Sequence, residues 1–470
     1  MLHNVSFINR EKEIAFLKEA YADDKAQLIV LYGRRRVGKT CLLTHFMQGK
    51  KHTYYLCTKG NETEQIKLLS RMIGERLDDT ALTLSPFSEW HSLFLYLHEK
   101  AKKERYLLVI DEFPYLININ PAITSIFQKY WDEYLSKTKI MLVLCGSSIA
   151  MMESEVLAHK SPLYGRRTGQ WKADPLSFKD ASKFFPEKSS IEEIIRTYTI
   201  TGGVPYYLQE LDLQKSAISN ILEKIAKKGK LLYEEGEILL KEELRDPSTY
   251  FSILEAMSSG NTKQAQIANH VSMPQTALPR YLSTLERLAY IKKITPVTEP
   301  KTSKKTIYRL NDNFMNFWFK FIYPNKSYIE EGNYDRFKEI LDNYFELHVS
   351  FAFEDISRQF LKTLNARGKL PPGFTKFGTW WGHYRENNIR KEHEIDIVAL
   401  NETTKDILFS ECKWKNNVSA KKTLKDLKEK SEHVQWHNDK RISHYAIFAK
   451  TFKEKTEDAL LFDLDDLAAL

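Results

Sequence analysis

The octapeptide GRRRVGKT at positions 33–40, set between QLIVLY (27–32) and CLLTHFM (41–47), limits this chain more than any other stretch. An apolar β-branched run, a turn with two glycines and a helical run in succession predict a strand, a tight loop and a helix. Such a loop turns its backbone N–H groups inward at a helix N-terminus, where the dipole favours an anion. Gly33, Arg34, Arg35, Arg36, Val37 and Gly38, with Lys39, Thr40 and Cys41, are therefore the candidate phosphate site. Lys39 would reach the β- and γ-phosphates of ATP, and Thr40 would ligand Mg²⁺. A chance match in a glycine turn is the alternative, and the flanking strand and helix argue against it.

HTYYL (52–56), YLLVID (106–111) and IMLVLCG (140–146) repeat the apolar pattern between longer helical stretches, which predicts a parallel sheet with crossover helices. LLVIDEF ends one of these strands on Asp111 and Glu112. Asp111 suits the metal and Glu112 suits polarising an attacking water, although an acidic pair could also cap the next helix. CGSS places the hydroxyl of Ser147 at the end of another strand, beside the expected γ-phosphate.

A length of 470 residues suits two to four domains. From Asp174 to about Leu244 the spacing turns helical, which predicts a small helical subdomain. STYFSILEAMSS, TKQAQIANHV and ALPRYLSTLERLAYI are then followed by IKKITPV and TIYRL, the order of a winged helix-turn-helix. Thr276 is the expected N-cap of the third helix, which leaves Pro279 in its first turn. Arg280, Arg287, Lys292, Lys293, Lys301, Lys304 and Lys305 supply cations suited to DNA phosphates, or to an intramolecular relay. The excess of 70 basic over 62 acidic residues is compatible with nucleic acid without requiring it. The aromatic-rich NDNFMNFWFKFIYP (311–324) leads into a last domain with a long helix and strand patterns near 377–381, 394–400, 407–413 and 444–449.

An aromatic content of 12% argues against disorder. Cys41, Cys57, Cys145 and Cys412 stand singly, without zinc spacing, and read as reduced packing residues. No apolar run approaches the ~20 residues of a membrane span, so a cytoplasmic protein is expected.

HEIDIVALNETTKDILFSECK (393–413) places costly charges in two apolar strands. Pairing Leu400 with Ile407 sets Asp396 opposite Glu411, with Lys413 on the face of Glu411. Two carboxylates at that distance repel unless a cation such as Mg²⁺ sits between them, and the lysine could then orient or deprotonate water.

FINREKEIAFL, GRRRVGKT, LLVIDEF, CGSS, SPLYGRR (161–167) and TGGVPYYL (201–208) together resemble the archaeal-type ATPases of the broad AAA+ and signal-transducing NTPase group, over residues 5 to about 320. The resemblance implies a nucleotide-gated switch, with Arg166 or Arg167 sensing the γ-phosphate and Gly203-Val204-Pro205 as a lid turn touching the nucleotide. The hairpin resembles the PD-(D/E)XK nucleases, with Asp396 as metal aspartate and Glu411-Cys412-Lys413 as the ExK element. In that fold an acidic residue on the preceding helix completes the site, and Glu354 matches best, with Asp355 as the fallback. FGTWWG, HEIDIVAL and ILFSECKWK also resemble the domain of unknown function that accompanies archaeal-type ATPases.

The expected molecule is thus an α/β multidomain chain. It comprises a P-loop NTPase parallel sheet (1–172), a helical lid (173–245), a winged helix-turn-helix (246–325) and a restriction-endonuclease-like α/β domain (335–470). Two functions stay open: an ATP-switched nuclease, or a nucleotide-gated regulatory or DNA-binding protein whose last domain docks a partner. A second copy of the chain or a partner protein is compatible with either.

Overall fold

Strands buried on both faces must be apolar throughout, and that requirement fixes the first sheet. The computed structural model describes residues 7–244, 246–300, 302–370, 372–386 and 389–469. Gln27–Tyr32 (β1), His52–Leu56 (β2), Tyr106–Asp111 (β3), Ile140–Gly146 (β4) and Gly169–Lys172 (β5) form a parallel sheet in the order β2-β3-β4-β1-β5. Every residue of β1, β3 and β4 is buried. β4 lies between β1 and β3, so Ser147 emerges between the loop that follows β1 and the acidic end of β3.

The chain divides into two compact units, Met1–Pro175 with Val204–Tyr206, and Leu176–Gly203 with Tyr207–Leu470. In the second unit, helix Ile191–Thr201 is capped by the Ser190 hydroxyl and ended by Gly202 in a left-handed conformation. Helices Ser248–Ser258, Gln264–His270 and Leu278–Arg287 precede an antiparallel hairpin of Ile291–Ile294 (β6) and Ile307–Leu310 (β7). The N-cap of the third helix is Ala277 rather than Thr276. A turn closed by the Ala277 N–H on the Pro274 carbonyl (2.9 Å) carries the chain one residue further, and Pro279 still falls in the first helical turn. Lys301 lies outside the described residues.

The centre of the aromatic run 311–324 is core. Phe314, Phe317, Trp318, Phe319 and Phe321 are all buried, and the Trp318 Nε1 donates to the Tyr233 carbonyl at 2.8 Å. His348 is buried among Phe317, Phe321 and Phe345, and its Nε2 makes no hydrogen bond. Burial, helped by Lys320, pushes its pKa down from 6.5 to about 3. The unfolded chain therefore takes up a proton that the folded chain excludes. Stability should be full above pH 6.5 and fall as pH drops toward about 3, by ~1.4 kcal/mol per pH unit for this one proton. Urea melts between about pH 7 and pH 5 measure this slope, and His348→Leu should reduce it by one proton.

Asn333 caps the long helix Tyr334–Ala366. The chain continues through Lys376–Glu386 (β8), Ile389–Asn401 (β9), Asp406–Lys413 (β10), Val418–Ser419 (β11), helix Ala420–Glu432, Ile442–Ala449 (β12), Phe452–Glu454 (β13) and Leu460–Phe462 (β14). The main sheet runs β14-β12-β10-β9-β8. β8, β9 and β10 form an antiparallel meander, and β12 returns parallel to β10 through the helix Ala420–Glu432. Ile395, Val398, Leu400, Ile407 and Phe409 carry its core against Leu427 and Val434.

Candidate functional site

The phosphate loop is held open from both sides. A Cβ on Gly33 would lie 2.2 Å from the Ala173 carbonyl oxygen, so only glycine fits. Gly38 has φ +90° and launches helix Lys39–Met47. Lys39 is buried, and its Nζ donates to the carbonyls of Gly33 (2.8 Å) and Arg34 (2.9 Å). Burial lowers its pKa. Arg10, buried as well, donates to the Val37 carbonyl at 2.6 Å.

The acidic strand end meets this loop. The Thr40 hydroxyl and the Tyr54 hydroxyl both donate to Asp111 Oδ2, at 3.0 and 2.7 Å. Glu112, at φ +52°, accepts from the Ser147 hydroxyl at 2.8 Å and from its N–H at 3.3 Å. A non-glycine residue in that conformation is strained, and such strain gathers at functional sites. Thr40 and Asp111 thus offer adjoining hard oxygens that fit Mg²⁺. Pro205 Cγ would stand 3.7 Å from a Cβ on Gly38, and the Arg36 guanidinium lies 4.2 Å from the Tyr206 ring centroid. Cys41 is exposed on the first helical turn.

Arg166 is placed elsewhere. Its guanidinium pairs with Asp132 (3.0 Å) in a groove shared with Lys25, Lys102 and Lys139, at the amino ends of β1 and β4. The reason is topological. β5 runs parallel to β1, so the residues just before it must lie at the sheet edge opposite the phosphate loop. Arg166, expected to sense the γ-phosphate, therefore lies away from the phosphate loop of its own chain. Arg167 donates to the Leu157 carbonyl at 2.9 Å.

In the C-terminal hairpin Leu400 pairs with Ile407 as expected, but the ladder stops at Ile397 and Ser410, one residue short of Asp396 and Glu411. The register also shifts between β8 and β9 at Gly378/Trp380, the irregularity of a bulge beside Asp396. The Asp396 carboxylate accepts the Cys412 N–H at 2.8 Å, and its carbonyl accepts the Thr379 hydroxyl at 3.2 Å. Burial and the facing Glu411 push the Asp396 pKa up to about 7. Burial and Asp396 push Glu354 up. Asp355 turns to Lys292 (3.3 Å) and Arg358, which hold its carboxyl down against the effect of burial. Of the two helix carboxylates, Glu354 is thus the one that the Asp396 charge opposes, and Asp355 is held by cations.

Glu411 is paired. Lys413 donates to its Oε1 at 2.7 Å, and Lys430 reaches both oxygens at 3.0 and 3.2 Å. Burial alone would lower the Lys413 pKa, and Glu411 outweighs it. Glu354 faces Arg309 at 3.7 Å. Among the described residues no group of three or more His, Cys, Asp or Glu is arranged to hold a metal. Of the carboxylates expected at this site, Glu411 faces Lys413 and Lys430, and Glu354 faces Arg309. The donor set of Asp396, Glu411 and Glu354 still has the hard-oxygen chemistry that suits Mg²⁺ or Mn²⁺.

Tyr54, Lys430 and Arg309 join these sites without a sequence motif to mark them, and Arg10 lies within FINREKEIAFL. Lys430 is hidden in the lysine-rich AKKTLKDLKEKSE, and only its position one helix after the ExK element could have pointed to it.

The strand order, the phosphate loop and the acidic strand end define a P-loop ATPase core of Walker type. The chain belongs to one family with uncharacterized protein MJECL04 of Methanocaldococcus jannaschii, to which it is 38% identical over 466 residues, 98% of this chain and 100% of that protein. Residues 7–211 match the family described as an ATPase domain predominantly from Archaea. Residues 318–426 match one described as Archaea bacterial proteins of unknown function. A stretch of 47 residues, 10% of this chain and 80% of the relative, is 53% identical to uncharacterized ATP-binding protein MJ0423 of the same organism. The walker-type ATPase paby2304 of Pyrococcus abyssi shares the fold at a TM-score of 0.52 and 21% identity, over 67% of this chain and 96% of that one. No helix among the described residues is long and apolar enough to cross a membrane.

Proposed function

We propose that the chain is an ATP-binding and ATP-hydrolysing switch that governs a metal-dependent nuclease-like domain at its C-terminus. The observation that carries the first part is the meeting of Thr40 with Asp111 and of Glu112 with Ser147 at one sheet edge. Lys39 binds the β- and γ-phosphates, Thr40 and Asp111 hold Mg²⁺, Glu112 polarises the attacking water, and Ser147 positions Glu112. Pro205, beside the phosphate loop, contacts the nucleotide. Since Arg166 faces away from its own phosphate loop, any part it has in hydrolysis is played toward a second copy of the chain. Glu112→Gln should keep ATP affinity and cut turnover by about 10²-fold or more, as loss of a general base does. ATPase assays alongside nucleotide titration test this; wild-type turnover in the variant would refute the assignment.

The second part is supported by a helix, an antiparallel three-strand meander, a crossover helix and a parallel strand, an order found in PD-(D/E)XK nucleases. Asp396, Glu411 and Lys413 occupy the matching positions of its central hairpin. A divalent cation held by Asp396 and Glu411 would supply Lewis-acid stabilisation and a more acidic bound water. Lys413 orients that water, and Lys430 keeps Glu411 in place.

The three helices and hairpin form a winged-helix module whose substrate contact is DNA. Arg280, Arg287, Lys293 and Lys304 are exposed and available to phosphates, whereas Lys292 is engaged by Asp355 and Lys305 by Glu299. Affinity for duplex DNA should fall steeply with salt, and Arg280→Glu with Arg287→Glu should flatten the log–log slope by ~0.9 for each phosphate that the protein no longer neutralises. A slope unchanged by this pair would leave the module as an intramolecular relay. A docking role for an inactive C-terminal domain is the second reading, favoured by the cations already seated on Glu411 and Glu354.

A further inference from the structure

The hairpin of the helical module is built into the C-terminal domain. The Val297 N–H, just past β6, donates to the Thr379 carbonyl of β8 at 3.0 Å. Val297 is 4% exposed and packs with Trp380 and Ile395. Gly378 makes room for it, since a Cβ there would lie 2.8 Å from the Val297 Cβ. Around this anchor the cations of the module face the carboxylates of the domain. Arg309 on β7 pairs with Glu394 at 2.7 Å and lies 3.7 Å from Glu354. Lys292, opposite Arg309 in the hairpin register, reaches Asp355 at 3.3 Å. Lys263 lies 3.4 Å from Glu392.

Glu394 and Glu354 are neighbours of Asp396, one along β9 and one from the long helix. Arg309 therefore brings a fixed positive charge to the carboxylates that the proposed metal site uses. A divalent cation held by Asp396 and Glu411 beside Glu354 and a guanidinium 3.7 Å from Glu354 repel each other at such range. Because Arg309 is carried by β7 and also bound to Glu394, withdrawal of the hairpin carries its charge away from Glu354.

Resting on the nuclease reading, we propose that Arg309 is a charge lock: it competes with the divalent cation for the carboxylate cluster, so metal loading and release of the β6–β7 hairpin favour each other. Lys292 on Asp355 and the Val297–Thr379 bond hold the lock in register. The helical module thereby caps the site while the hairpin is docked, and withdrawal of the hairpin opens it.

The test is Mn²⁺ titration of the full chain by calorimetry, with Asp396→Ala identifying the heat that belongs to this site rather than to the phosphate loop. Arg309→Gln should bind Mn²⁺ about tenfold or more tightly than wild type, since the competing charge is gone. Lys292→Glu, which loosens the hairpin without touching Arg309, should shift affinity the same way by a smaller factor and serves if Arg309→Gln fails to fold. Unchanged or weaker Mn²⁺ binding in both variants, with Asp396→Ala still abolishing it, overturns the lock and leaves the nuclease reading standing. If Asp396→Ala titrates like wild type, no metal enters this cluster and both readings fall together.

Discussion

Lys39→Ala should yield a folded protein that binds ATP about 10- to 100-fold more weakly than wild type. That range follows from the ~1.5–3 kcal/mol carried by a hydrogen bond to a charged group. Lys39 lies buried at the start of its helix, with its ammonium on two carbonyls of the phosphate loop. Those carbonyls take two of its three donors but do not neutralise its charge, and burial already disfavours the ammonium. A polyphosphate offers it the stronger partner. The substitution deletes both the counter-charge for the phosphates and the clasp that draws Gly33 and Arg34 over them. Lys39→Arg should rescue little, because a guanidinium does not fit the space of an ammonium held at 2.8 and 2.9 Å. Calorimetric titration with ATP and Mg²⁺ measures the effect, and affinity within about twofold of wild type would contradict the site.

The second large effect concerns the hairpin. Asp396→Asn keeps an acceptor for the Cys412 N–H but deletes a charge that burial and Glu411 both oppose. Divalent-metal binding at the C-terminal site should be lost, while the melting temperature rises by roughly 2–4 °C for each kcal/mol of repulsion relieved. A gain in stability with a loss of function is what a site built from opposed charges gives. Lys413→Ala should behave differently. Lys430 remains on both oxygens of Glu411, so the carboxylate keeps a partner and the fold is little disturbed. Metal binding should survive, and cleavage should not. A destabilised Asp396→Asn protein that still binds Mn²⁺ would make the cluster structural.

β1, β3 and β4 were legible to the residue because burial on both faces demands uninterrupted apolar runs, and the edge strand β2 by its β-branched and aromatic residues. β5 was not, because GQWK carries no such run and becomes a strand only by pairing with Ile29–Tyr32. The Leu400–Ile407 register followed from alternation, yet the ladder ends before Asp396 because a side chain takes the Cys412 N–H in place of a backbone carbonyl. Alternation carries no sign of such an exchange. The cations of the hairpin were visible as charges, but which carboxylate each would meet depends on how the module packs. Arg309 and Lys292 found partners inside the chain.

Cleavage itself is the most direct measure of the central claim, that an ATPase and a metal-dependent nucleolytic site share this chain. Supercoiled plasmid incubated with the purified protein and Mn²⁺ should be nicked or linearised by wild type, and left intact by Asp396→Asn and by Lys413→Ala. Plasmid left intact by wild type and by Arg309→Gln alike, or cut equally by wild type and Asp396→Asn, would contradict it.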